Sequence, residues 1–222
     1  MSVGSYHKES ASSGLITLQA RPQDVTGFEQ FAQLLPKAIA AAQRRAINKT
    51  LRWLRGKIAR EVGVQERIAV AAVRKRLMAY PMGCNGQGKL WFGIKPIEAS
   101  RAGRARQTRS GVSVAGRHYK GAFYRRVYGD QPDIWIRAGS KHFTDEDYPD
   151  SMVEARRKGR SGWIAESTSI GRFPLAKAKI SLEDVRPHFE TWTNRAHDRL
   201  LVVMRQELNF ELQKVLRRTG NG

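Results

Sequence analysis

Apolar residues recur along this chain with two periods, and the switches between them mark out its segments. Leu15, Ile16 and Leu18 around Thr17 predict a short strand, with a turn region around Pro22 and Gly27 after it. From 36 to 62 the period is helical. Ile39, Ile47, Leu51, Leu54, Ile58 and Val62 line one stripe, while Arg45, Lys49, Arg52 and Arg55 fall on other faces. Pro36 suits a helix start, where the first N–H groups have no partner, and Gly63 is the expected stop because glycine takes the left-handed cap conformation without penalty. A second helix is predicted over 65–78, with Ile68, Ala72, Val73 and Leu77 facing the core and Pro81 ending it.

The period then shortens to two. Leu90, Phe92, Ile94 and Ile97 alternate as in a half-buried strand, although Pro96 weakens its end. Val112 and Val114, then Ala122, Phe123 and Val127, then Ile134, Trp135 and Ile136 mark further strands. Residues 139–162 read as an insertion loop, and Phe173, Leu175, Ile180 and Leu182 as one more extended segment. Phe189, Trp192, Ala196, Leu200, Val203, Leu208, Leu212 and Val215 return to helical spacing over about 187–216, a helix near 45 Å long at roughly 1.5 Å per residue. The predicted fold class is α+β: an antiparallel β-sheet packed with long amphipathic helices. The expected organisation is a flexible N-terminal arm over 1–13 and a single domain over 14–218.

Composition adds a strong electrostatic field. The 222 residues hold 40 Lys and Arg against 20 Asp and Glu, a formal charge of +20. Such a balance attracts polyanions, with nucleic acid the first candidate and an acidic protein surface or anionic lipid the others. Apolar residues at 41% are sufficient for a core, so composition does not predict a disordered chain. No apolar run approaches a membrane span, and residues 1–14 are polar and serine-rich, without the apolar centre of a secretory signal. The single Cys84, in a turn-like stretch, allows no internal disulfide, which fits a reducing cytosol.

Two tracts concentrate the positive charge. Residues 37–76 carry twelve Lys or Arg and two acids, Glu61 and Glu66. Residues 101–126 carry eight and no acid. The stretch 101–111 is rich in small residues and is expected to be a mobile arginine loop, suited to phosphate because each guanidinium offers paired donors and stays charged. The alternative is a solvated hairpin tip or a loop docking on an acidic subunit. His118, in Gly116-Arg117-His118-Tyr119-Lys120-Gly121, invites reading as a base or ligand, but the five histidines show no zinc-ligand spacing, and a surface or packed side chain is the favoured reading. Asp145, Glu146, Asp147 and Asp150 could hold Mg²⁺ for nuclease chemistry, yet no matching acid on a strand or helix is evident. A solvated loop, or one that meets a basic patch on a neighbouring subunit, is the plainer account. No phosphate-cradling Gly-Lys-Ser/Thr loop, dinucleotide glycine fingerprint or serine elbow is present.

In order along the chain, several segments resemble the phage minor tail protein Z family. They are Arg45-Ala46-Ile47-Asn48-Lys49-Thr50 running on to 57–63, Val73-Arg74-Lys75-Arg76-Leu77, 116–123, and Arg172-Phe173-Pro174-Leu175 with Lys179-Ile180-Ser181-Leu182, closed by the long C-terminal helix. The resemblance spans about 36–217; it leaves out the N-terminal arm, and 139–162 departs from it as a longer insertion. It implies a structural virion protein that completes the head-proximal end of a tail and helps join it to the head. It implies no catalysis, no cofactor and no metal. By the same resemblance the partners are further copies of the chain in a homo-hexameric ring, neighbouring tail terminator, tail tube or connector proteins, and packaged double-stranded DNA without sequence specificity; no membrane is expected. The protein would be found in the virion, and in the host cytoplasm during assembly. Arg104, Arg106, Arg109, Arg117 and Lys120 are then the candidates for facing DNA or the next ring, and Asp145, Glu146, Asp147 and Asp150 for meeting a neighbouring subunit. Two rivals are a DNA-binding regulator reading with helix 65–78 and a metal nuclease built on the acidic loop.

Overall fold

In the computed structural model the described residues are 14–19, 36–83, 86–127, 130–148 and 175–219. The arm 1–13, the turn around Pro22 and Gly27, Cys84, Asp150 and the rest of the insertion from 149 onward lie outside them. The fold is α+β, with three α-helices and short strands in four antiparallel sheets among the described residues. In chain order the elements are β1 (Leu15–Leu18), α1 (Pro36–Gln65), α2 (Val70–Arg76), β2 (Leu77–Tyr80), β3 (Gly88–Phe92), β4 (Ile97–Glu98), β5 (Arg106–Gln107), β6 (Gly111–Val114), β7 (Arg117–Lys120), β8 (Phe123–Arg125), β9 (Asp133–Arg137), β10 (Leu175–Lys177), β11 (Lys179–Ile180) and α3 (Phe189–Thr219). Backbone contacts group the chain into two compact units. One comprises residues up to 61, 74–93 and 185 onward; the other comprises 62–73 and 94–184.

The first unit is built on the two long helices. Ile39, Ala42, Ala46, Ile47, Leu51, Leu54 and Ile58 form the buried stripe of α1, and Phe189, Trp192, Ala196, Leu200, Val203, Met204 and Leu208 that of α3. The helices run antiparallel, because Glu61 near the end of α1 meets Trp192 and Arg195 early in α3, while Arg45 near its start meets Glu207 and Glu211 later on. Against them lies the sheet β1–β3–β2, with Ile16, Leu18, Leu77, Leu90 and Phe92 inward. Phe92, Phe189 and Trp192 meet edge to face, with centroids 5.4–6.4 Å apart. Gly88 allows α1 to sit directly on β3, since a Cβ there would come within 2.4 Å of Ile47 and 2.9 Å of Leu51.

Two helix boundaries differ from the sequence expectation. Gly63 does not stop α1; it is buried inside the last turn, where a Cβ would come within 3.0 Å of Ile68 O and Val70. The cap falls four residues later at Arg67, whose φ of 51° is left-handed. Ile68 N–H donates to Gly63 O (3.0 Å) and Arg67 N–H to Val64 O (3.4 Å), the paired bonds of a Schellman cap. The predicted helix 65–78 is also shorter. Only 70–76 is helical, and Leu77–Tyr80 forms β2, because Leu77 pairs with Phe92 and Arg76 O accepts from Gly93 N–H (2.9 Å). A strand partner thus outweighs helical propensity at Leu77 and Met78.

The second unit holds three small sheets, β8–β9–β10, β4–β11 and β5–β6–β7. Ile97, Val112, Val114, Tyr119, Ile134, Ile136, Tyr148, Ala176, Ala178 and Leu182 make its core. The strand expected over 90–97 breaks at Gly93, and Ile97 pairs with Ile180 in a different sheet from Leu90. Buried charge is neutralised locally. Lys177 Nζ reaches Asp133 (2.7 Å) and Glu98 (3.1 Å) and lies 4.9 Å from the centre of the Trp135 ring, and Ser100 donates to the other oxygen of Asp133 (2.5 Å). Burial by itself lowers the Lys177 pKa, but the bonds to Asp133 and Glu98 outweigh it and leave the ammonium group held charged.

Candidate nucleic-acid interface

The basic segment 101–126 folds into the three-stranded meander β5–β6–β7 with β8 following it. Its hairpin turn explains why the chain reverses where it does. Ala115 (φ 52°) and Gly116 (φ 77°) both occupy the left-handed region, as the two-residue turn between β6 and β7 demands. That turn fixes the register: Ser113 faces His118, Val112 faces Tyr119, and Gly111 faces Lys120. On the other side of β6, Arg106 faces Ser113. Arg106, Ser113 and His118 therefore form one row across three strands, with neighbouring Cβ atoms about 5 Å apart. Lys120, two residues beyond His118, stands on the same face at a further step of roughly 6–7 Å. That face is exposed at Arg106, His118 and Lys120, while Val112 and Tyr119 on the reverse face are buried.

The loop between β5 and β6, expected to be mobile, is tied down. Gly111 O accepts from Thr108 N–H (2.7 Å), Thr108 Oγ1 (2.9 Å) and Gln107 Nε2 (3.0 Å). The Gln107 amide also reaches Ala122 O (3.4 Å), and its oxygen accepts from Tyr124 N–H (2.8 Å). One glutamine side chain thus staples the turn 107–111 to the start of β8. Gly111 is required at its place, because a Cβ would lie 2.0 Å from Tyr119 O. The small residues of 101–111 permit close backbone approach here, and Arg106 and Arg109 are presented from a fixed frame.

The candidate cations do not all serve this face. Arg104, Arg106, Arg109 and Lys120 are exposed and have no ion-pair partner among the described residues. Arg117 points the other way. Its guanidinium donates to Glu66 O (2.7 Å) and lies 3.6 Å from the Glu66 carboxylate, so it secures the cap of α1. His118, by contrast, stands in the exposed row, its ring between two hydroxyls: Ser110 Oγ at Nε2 (3.0 Å) and Ser113 Oγ at Nδ1 (2.9 Å). The sequence shows these serines only once the turn at 115–116 is recognised, which sets Ser113 opposite His118.

The acidic candidates form a capped turn. Thr144 Oγ1 donates to Asp147 Oδ2 (3.2 Å), Tyr148 N–H to Thr144 O (3.1 Å), and Asp147 O accepts from Lys179 N–H (3.0 Å). Asp145 and Glu146 are exposed. Among the described residues no group of three His, Cys, Asp or Glu side chains could hold a metal ion. Tyr148, which ends this turn, meets the inward ring of Tyr119 at 6.3 Å. Burial, with Asp147 nearby and Arg117 opposing, pushes the Tyr119 phenol up to about 12.

The larger basic tract is partly spent inside its own unit. Arg45 bonds Glu207 (2.5 Å) and Glu211 (2.6 Å), and Lys49 also bonds Glu207. Burial by itself raises the Glu207 pKa; hydrogen bonds from Arg45 and Lys49 outweigh it and hold the carboxyl below its ordinary range. Among the described residues no helix is long and apolar enough to cross a membrane. Comparison with known protein families, with curated proteins and with solved structures gives no match to this chain.

Proposed function

We propose that this chain is a structural protein of a bacteriophage tail, finishing the head-proximal end of the tail and helping to join it to the head, with its β5–β7 face toward the DNA-containing lumen. The single observation that carries the lumen assignment is the exposed face of β5–β7 that carries Arg106 and Lys120, its β5–β6 turn bonded through Gln107 and neither cation having an acidic partner among the described residues. Such a face suits sequence-blind contact with phosphates, which fix position without reading bases. The tail assignment rests on the resemblance of 36–217 to the minor tail protein Z family. The formal charge of +20 and the α+β build agree with it. In this reading the protein assembles with further copies of itself in a ring, probed by the oligomeric state of the purified chain. The shortened α2 weighs against a regulator reading DNA through helix 65–78, since seven residues span only about 10 Å.

The test is a phage carrying the combined Arg104→Ala, Arg106→Ala and Arg109→Ala substitutions. The three side chains are exposed, so the protein should fold and melt as the wild type does. Particle assembly or DNA delivery is expected to fail. Normal infectivity would contradict the lumen assignment.

A further inference from the structure

The pair of hydroxyls around His118 has a use beyond general positive charge. A neutral imidazole donates through one nitrogen and accepts through the other. Held between Ser110 and Ser113, it therefore accepts a hydrogen bond from one serine hydroxyl and donates one to the oxygen of the other. The second serine keeps its own hydrogen, and that donor must find an acceptor elsewhere. The row opens to solvent with Arg106 beside Ser113 and Lys120 beyond His118 on the same face. A polarised hydroxyl donor flanked by a guanidinium and an ammonium matches a tetrahedral monoanion with several acceptor oxygens.

We infer that Ser110, Ser113 and His118, with Arg106 and Lys120, form a phosphodiester-binding site that grips one backbone phosphate of a double-stranded nucleic acid. The inference rests on the reading of β5–β7 as the lumen-facing surface and specifies its chemistry. Arg106 and Lys120 supply charge, which salt screens. The serines supply directed hydrogen bonds at no cost in charge. The imidazole fixes which way the serine hydroxyls point. The stapled β5–β6 turn holds the set in place before binding, which reduces the ordering cost.

The experiment is fluorescence anisotropy of the full-length chain with labelled 30-base-pair duplexes of two unrelated sequences, at several salt concentrations. Wild type is expected to bind both sequences equally, with affinity falling linearly on a logarithmic salt scale. Arg106→Ala should weaken binding and lower that slope by about one. The Ser110→Ala/Ser113→Ala double variant should weaken binding roughly five-fold with the slope unchanged, because it removes donors and no charge. Thermal melting of the double variant at the wild-type temperature guards against a folding artefact. Wild-type affinity in the double variant would overturn the site. So would full displacement of the duplex by millimolar inorganic phosphate at matched ionic strength, which would assign the cradle to free phosphate. If wild type binds no duplex yet is incorporated normally into particles, this inference falls and the tail role stands. If it binds duplex and is absent from particles, the tail role falls and the site stands.

Discussion

At the scale of single residues, the second unit depends on places where backbone comes close to backbone. A methyl group at Gly111 would overlap Tyr119 O at 2.0 Å, so Gly111→Ala must separate β6 from β7. It should destabilise the protein by about 2–4 kcal/mol, in the range of severe backbone and packing lesions, read as a lowered melting temperature by circular dichroism. In the first unit, Glu207 tests the buried charges. Its pKa lies below the ordinary value of 4.5, so the stability it contributes is present above that value and is lost as the pH falls through the lowered one. Glu207→Gln should cost roughly 2 kcal/mol at neutral pH and flatten the acid limb of the stability curve; an unchanged acid limb would show that the Arg45 and Lys49 pairs are not what hold it. The pairing of Glu207 and Glu211 with Arg45 and Lys49 was not legible in the sequence, because α1 and α3 meet only through tertiary packing.

At the scale of elements, hydrophobic periodicity located both long helices and most strands, since Ile39–Ile58 and Phe189–Leu208 each repeat over many turns. It failed where two structures compete for one short segment. Leu77 fits a helical stripe and a strand equally well, and only β3, at 88–92, decides between them. Gly63 misled for a related reason: its lack of a side chain serves the loop folding back at Ile68, not a cap. Arg67 carries the cap at the cost of a left-handed backbone. The β6–β7 hairpin is similarly strained at Ala115. Ala115→Asn, a residue that tolerates this region, should stabilise by about 0.5–1 kcal/mol, a rise of roughly 1–4 °C in thermal melting. β7 also sets an alkaline limit. The Tyr119 phenol ordinarily titrates near 10 and here near 12, so the folded state keeps its proton longer than the unfolded chain does. The associated stability is full below about pH 10 and is lost between 10 and 12. Tyr119→Phe should make that alkaline decline shallower in denaturant titrations.

At the scale of the whole molecule, the charge of +20 reads directly from composition, but its distribution does not. The tract 37–76 is the more basic by count, yet Arg45 and Lys49 are engaged by Glu207, and Glu211 also takes Arg45. The shorter tract 101–126 supplies the exposed row, with Arg117 turned away from it to Glu66. Strand alternation accounts for that division: 118 and 120 share one face of β7, and 117 and 119 the other. The cradle at His118 could not be read from spacing alone, because Ser110 reaches the ring only through the close approach at Gly111. The central claim is that the protein belongs to the virion. Under the proposed tail role, quantitative mass spectrometry of purified phage particles tests this most directly. The account predicts a few copies per particle, in fixed ratio to a known ring of the neck. Absence from the particle would contradict it.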